Sequence, residues 1–202
     1  QEKIVEIKDV GKTMKTGGRY HETREGGSHH TDSPQWKDVP DYLGLFCVHD
    51  AKKGGTNLFL SAYTIHNKIL KERKDLLNIF YEKFYFDKRG EFKDGESHTV
   101  FEPIFKFKDG RLYFRYLRNY IDAGHDIQNQ SLSQSKKEAL TYLDNLMRKD
   151  EMIMRYDLKS DDMVFSDNHW IVHGRISFED YDDQNLKRLM LRTWIRDKKY
   201  RN

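Results

Sequence analysis

The sequence has 202 residues, room for one domain with a sizeable core, and its 37% hydrophobic and 13% aromatic share argues against a disordered chain. Its 36 basic and 33 acidic residues leave a net charge of +3, too small for the field that draws a protein to nucleic acid or a membrane surface. The single cysteine, Cys47, rules out an internal disulfide and fits a reducing compartment, so a cytoplasmic location is expected.

The elements are predicted in chain order. The opening "QEKIVEIKDVGKTM" already reads as folded material, which fits either a fragment of a longer protein or a missing N-terminal segment. With no repeat, low-complexity tract or linker visible, 1–202 is taken as a single domain. "YLGLFCVHD" (42–50) and "TNLFLSA" (56–62) are short apolar runs bounded by turn signals, hence strands, with "AKKGG" as the turn between them. "SAYTIHNKILKERKDLLNIFYEKF" carries Ile65, Ile69, Leu70, Leu76, Leu77 and Phe80 at helical spacing, which predicts two short helices with Ser61 as N-cap. "TVFEPIFKFKDGRLYFRYLRNYI" alternates around "KDG", a hairpin signal whose second strand runs through "RLYFRYLRNYI". The spacing predicts a helix over 136–148, with Ser135 and Glu138 as a capping box and Leu140, Leu143 and Met147 on one face. "MIMRYDL", "MVFSD", "HWIVHGRI" and "LKRLMLRTWIR" then read as strands. Antiparallel strands around a core with flanking helices is the simplest architecture. No apolar run is long enough to span a membrane, so no membrane partner is expected.

"EGGSHHTDSPQW" (25–36) sets His29, His30 and Asp32 just after a glycine pair. On its own the His30-x-Asp32 pair reads as a polar surface loop more readily than as a metal site, because such short matches arise by chance. A late strand supplies a third ligand candidate. His169 and His173 in "SDNHWIVHGRISFED" are four apart, on one face if both lie in a strand, and His173 is followed by Gly174, where the chain can turn. Two histidines and a carboxylate make the facial triad that non-haem iron enzymes use, with the opposite coordination face left open.

The stretches "HHTDSPQW", "KKGGTNLFLSA", "DDMVFSDNHWIVHGRISFED" and "LKRLMLRTWIR" occur in an order that resembles the clavaminate synthase and taurine dioxygenase family of Fe(II)/2-oxoglutarate-dependent oxygenases. The resemblance runs from about Gly26 to Arg196. It implies a double-stranded β-helix, or jelly roll, mainly β with flanking helices. It implies His30, Asp32 and His173 as ligands of Fe(II), with 2-oxoglutarate and dioxygen as cosubstrates. It assigns no metal role to His169, and leaves His29 as a neighbour of the pocket or a surface residue. In the family a paired arginine follows the distal histidine, which falls on Arg188 for 2-oxoglutarate and Arg192 for the substrate or a second clamp. The hydroxyl residue that contacts 2-oxoglutarate falls at Asn57, with Thr56 one position earlier, so which of the two makes the contact stays open. Asp161 stands where relatives carry glycine, in a turn that aspartate tolerates.

The implied reaction oxidises a C–H bond of a small polar, anionic substrate, with release of succinate and CO2. The carboxylate ligand favours hydroxylation, with desaturation or cyclisation remaining open. Arg115 and Arg118 are candidates for binding the anion. An RNA-binding strand or a solvated amphipathic strand would explain the same residues, and the near-neutral charge disfavours RNA. Two other classes are carried: a non-oxidative metalloenzyme on the same barrel, disfavoured by Arg188 and Arg192, and a metal-binding protein without catalysis, disfavoured by the complete ligand set. No nucleic-acid partner is expected, and the sequence specifies no oligomeric state.

Overall fold

A computed structural model describes residues 4–16 and 18–197. Its strands are β1 (Ile4–Ile7), β2 (Tyr42–His49), β3 (Lys53–Gly54) and β4 (Asn57–Ser61), followed by helices α1 (Ala62–Glu72) and α2 (Lys74–Leu77). Next come β5 (Lys83–Asp87), β6 (Thr99–Pro103), β7 (Phe105–Lys108), β8 (Arg111–Phe114), α3 (Arg118–Ile127) and α4 (Gln134–Met147). The chain then adds β9 (Met154–Tyr156), β10 (Met163–Asp167), β11 (Ile171–Arg175), β12 (Phe178–Glu179) and β13 (Leu189–Ile195).

Two antiparallel sheets, β1-β13-β2-β10 and β11-β4-β9, make the jelly roll and face each other. Strand alternation divides their side chains cleanly. On β13, Met190, Arg192 and Trp194 point inward, as do their β2 partners Cys47, Leu45 and Leu43. On β11, Val172 pairs with Leu60 on the outer face, and both join a large core with Ile65, Phe80, Phe84, Ile121 and Leu140. His173 and Arg175, on the opposite face of β11, turn into the space between the sheets. The helices therefore cover one sheet from outside, and the interior is left for chemistry.

Local readings fared unevenly. Ser61 caps α1 by accepting from Thr64 N at 3.3 Å. The cap of α4 is Ser133, whose side chain accepts from Lys136 N, not Ser135. The hairpin is real, but its second strand stops at Phe114, and "RNYI" opens α3. Apolar residues at both the strand and the helix period overlap there, and burial of Ile121 against β5 decides for helix. Asp161 takes φ +73°, so it occupies a left-handed turn as a glycine would.

Gly124 explains how α3 lies so close to β5. A Cβ there would stand 2.5 Å from Tyr85 O and 2.8 Å from Asp87 N, both backbone atoms. Gly124→Ala should raise helix propensity yet destabilise the fold by about 1–3 kcal/mol, because β5 would have to move. Thermal unfolding checks this, and an unchanged or raised melting temperature would contradict the packing argument.

Candidate metal centre and its cavity

His30 and His173 meet across a pair of backbone hydrogen bonds. Each amide donates to the other's carbonyl at 2.9 Å, so the two side chains stand on one face. Asp32, two residues on, returns to the same side. Its position is locked by the buried Asn168, whose Oδ1 accepts from Asp32 N at 2.7 Å and whose Nδ2 donates to Asp32 O at 3.0 Å and Pro40 O at 2.9 Å.

One ligand-type atom from each of the three residues lies within 4.8 Å of the others. His30 Nε2 is 3.6 Å and His173 Nε2 3.3 Å from Asp32 Oδ1. Ligands at about 2.1 Å from one ion and at right angles stand about 3 Å apart, so each histidine needs only a slight approach to Asp32 Oδ1 to share a metal with it. The ring of His30 is already turned for it. Its Nδ1 lies 2.9 Å from Ser28 O and must carry the proton, which leaves the Nε2 lone pair directed inward. Burial lowers the His173 pKa, so its imidazole is neutral as a ligand must be.

Asp32 Oδ2 is occupied. Trp194 Nε1 donates to it at 2.6 Å and Arg192 Nη1 stands 3.3 Å away. Burial by itself would raise the Asp32 pKa, but the Arg192 guanidinium leads the interactions that outweigh it and hold the carboxyl well below the ordinary range. The carboxylate thus presents only Oδ1 to a metal. Trp194→Phe should weaken metal binding about 10- to 100-fold, as loss of such outer partners does elsewhere. Dialysis against Co(II) measures this, and an affinity within twofold of wild type would remove Trp194 from the argument.

The triad lines a cavity between the sheets, together with Tyr20, Gln35, Trp36, Asn57, Glu91, Arg175, Arg188, Arg192 and Trp194 among others. Arg175 and Arg188 both lie against the Phe178 ring, 4.7 and 5.1 Å from its centroid. Arg188 Nη1 is buried without a hydrogen-bond partner. Burial and the nearby Arg175 charge depress its pKa to about 10, so it remains a cation at neutral pH. Asn57 lies opposite Arg175 in the strand register and lines the cavity, whereas Thr56 does not. His29 is buried beside the triad, with Nε2 unpartnered and its pKa lowered to about 4 by burial.

The structure departs from sequence expectation at Arg115, Arg118 and His169, and adds a partner at Arg192. Arg115 does not line the cavity; its Nη1 donates to Pro34 O at 2.9 Å and Trp36 O at 2.8 Å, behind the loop. Arg118 sits at the start of α3, 3.0 Å from Asp122 and 2.7 Å from Asp144, because its segment is helical. His169 falls in a turn ahead of β11, with Nε2 2.8 Å from Asp41 Oδ1, so it does not share a face with His173. Arg192 reaches the cavity but is engaged by Asp32. Asn168, Trp194, Gln35, Glu91 and Arg175 went unremarked or unassigned in the sequence, since only their partners in space reveal them.

The model of the "Taurine catabolism dioxygenase TauD, TfdA family" matches residues 2–194. The chain belongs to the TauD/TfdA family. Within curated proteins it is similar to the FR-33289 synthase of Streptomyces rubellomurinus, 32% identical over 198 residues, which are 96% of this chain and 57% of that one. It is also similar to the taurine hydroxylase-like protein SAT17 of Stachybotrys chartarum, 25% identical over 163 residues, or 79% of this chain and 41% of that one. This TauD/TfdA chain therefore spans about half the length of the curated relatives it matches. Among solved structures, asparagine oxygenase with Fe(II), 2S,3S-3-hydroxyasparagine and succinate superposes with TM-score 0.74 at 16% identity, covering 96% of this chain and 56% of that one. The non-heme iron oxygenase OrfP with Fe and alpha-ketoglutaric acid gives 0.69 at 15% identity, covering 96% and 57%. These likenesses confirm the jelly-roll fold.

Proposed function

We propose that this chain is the catalytic part of an Fe(II)/2-oxoglutarate-dependent dioxygenase that hydroxylates a C–H bond of a small polar, anionic substrate and releases succinate and CO2. One observation carries the reading: the His30, Asp32 and His173 set shares a cavity with Arg188, a buried cation that no carboxylate pairs within the described residues. A buried guanidinium with a free N–H calls for an anion, and a dicarboxylate that also reaches the metal supplies one. Bound iron and 2-oxoglutarate supply the oxidising power; the protein supplies placement.

His30, Asp32 and His173 would hold the metal. Arg188 grips the distal carboxylate of 2-oxoglutarate, and Asn57, whose Nδ2 now makes a long 3.4 Å contact to Tyr156 O, offers a second donor. Leu43, Leu45, Tyr20 and Trp36 shield the cavity from water. Of the charged lining groups, Arg19, Arg175, Arg188 and Arg192 face only Asp32 and Glu91, leaving two positive charges in excess. Iron(II) and the 2-oxoglutarate dianion cancel each other, so the excess favours an anionic substrate. The solved relatives carry 2S,3S-3-hydroxyasparagine and (3S)-hydroxy-L-Arg, which are likewise small and polar.

The cytoplasmic location belongs to the same proposal. Cys47 is fully buried, and among the described residues no helix is long and apolar enough to cross a membrane. Burial pushes the Cys47 thiol up to about 11, so it should resist alkylation at neutral pH in the folded protein. A mass shift under native conditions would contradict that. The activity test is succinate formed from 2-oxoglutarate with and without added Fe(II). Succinate that appears only with iron supports the reading, and none in either case refutes it.

A further inference from the structure

We propose that Gln35 and Glu91 form a subsite that receives an N–H donor, an ammonium or amide group, of the substrate. The proposal rests on the dioxygenase reading of the cavity and extends it to the wall that reading leaves without a task. Gln35 is only 5% exposed and lines the cavity together with the metal triad. Its Nε2 donates to Glu91 Oε2 at 2.9 Å. That contact decides the orientation of the amide, because an ionised carboxylate can only accept. Burial would raise the Glu91 pKa, but the hydrogen bonds from Trp36, Gln35 and Arg19 outweigh it and keep the group ionised. Gln35 Oε1 is therefore the free end, and it is buried with no donor.

Among the described residues, the other unpartnered buried side-chain atoms on the cavity wall belong to Arg175, Arg188, Arg192 and His173, all nitrogens, and the arginine ones can only donate. They suit the anionic ends of ligands. Gln35 Oε1 is a pure acceptor and asks for the opposite chemistry. Its position is rigid. Arg115 Nη1 binds the carbonyls of Pro34 and Trp36 on either side of it. Trp36 Nε1 donates to Glu91 Oε2 at 2.6 Å, and Arg19 Nη1 reaches Glu91 Oε1 at 2.9 Å. The Glu91 carboxylate beside the free oxygen favours a polarised or cationic N–H over a neutral hydroxyl.

The experiment uses the full chain loaded with Fe(II) and 2-oxoglutarate. Its probes are L-glutamate, L-norvaline and L-norleucine, each alongside the 2-hydroxy acid and the plain acid of the same skeleton, counterparts in which no N–H remains. Stimulated succinate release is measured below saturation. The expected result is that at least one amino compound stimulates about tenfold or more above both of its amine-free counterparts, the size of one hydrogen bond to a charged donor. Gln35→Leu should bring the members of that set together, while Gln35→Glu, which keeps an acceptor in nearly the same volume, should preserve the gap. Circular dichroism shows whether each variant folds, and the isosteric Gln35→Glu keeps the comparison decisive should Gln35→Leu unfold, since equal responses in that variant also count against the subsite. The proposal is overturned if amine-free acids stimulate equally in wild type, if no amino compound stimulates while basal 2-oxoglutarate turnover is intact, or if the gap survives in Gln35→Leu, in which case water alone satisfies Gln35. A protein that neither binds nor consumes 2-oxoglutarate fails the dioxygenase reading instead, and the two failures are told apart by that measurement.

Discussion

Replacing Arg188 by alanine is expected to raise the dissociation constant of 2-oxoglutarate by about 30-fold or more, because truncating one partner of a buried charge pair costs roughly 2–5 kcal/mol and each 1.4 kcal/mol is tenfold. The arginine is 5% exposed and its Nη1 has no internal partner, while the neighbouring Arg175 is held by the carbonyls of Thr23 and Glu25, so Arg175 takes over the grip only by rearranging. Arg188→Lys should recover only part of the affinity, since a point charge cannot bond both carboxylate oxygens in one plane. Equilibrium dialysis with labelled 2-oxoglutarate and Fe(II) measures both variants. An affinity within threefold of wild type for Arg188→Ala would move the cosubstrate elsewhere. The matching experiment at Arg192 has a different meaning from the one its spacing suggests. As a free substrate clamp, Arg192 could be removed with metal and cosubstrate binding intact. Because it stands 3.3 Å from Asp32 Oδ2, Arg192→Ala should weaken metal binding as well.

Asp32→Ala should abolish metal binding at micromolar concentrations and also destabilise the metal-free protein. The second effect comes from the partners left behind: Arg192, whose side chain is 13% exposed, and the Trp194 indole N–H lose their acceptor. Breaking a buried pair in this way costs about 3–5 kcal/mol, and for a domain of this length each kcal/mol moves the melting temperature by about 2–4 °C. Asp32→Asn, which keeps an oxygen but no charge, should fall between the two. The pH dependence has a definite sign. The folded pKa of Asp32 is depressed, so its contribution is present above the unfolded value, about 4, and is lost as the pH falls further toward the folded value. The stability gap between wild type and Asp32→Asn should therefore shrink below about pH 4 and stay level above it. Metal-free melts across pH 3–8 test this, and a gap that grows in acid would mean the carboxylate is not held by Arg192 and Trp194.

Most of the strands and the helices α1, α2 and α4 are legible in the sequence, because apolar periodicity and turn residues act locally. Residue type and spacing also bring out His30, Asp32 and His173, while Arg188 and Asn57 come from the family resemblance. The tertiary structure decided what those candidates face. Two backbone hydrogen bonds between residues 143 positions apart set His30 against His173, and the side chain of Asn168 seats Asp32. The same chain segment that reads as a strand through Arg118 turns helical once Ile121 and Gly124 pack on β5, and this takes Arg118 away to Asp122 and Asp144. Arg192, inward-facing by alternation, is claimed by Asp32, a pairing no spacing reveals. Gln35 and Glu91, 56 positions apart, acquire meaning only through the hydrogen bond that orients the amide and leaves its oxygen free. Hydrogen-bond satisfaction and burial belong to the folded assembly and not to any window of sequence, so the structure decides which polar groups are already paired and which await a ligand.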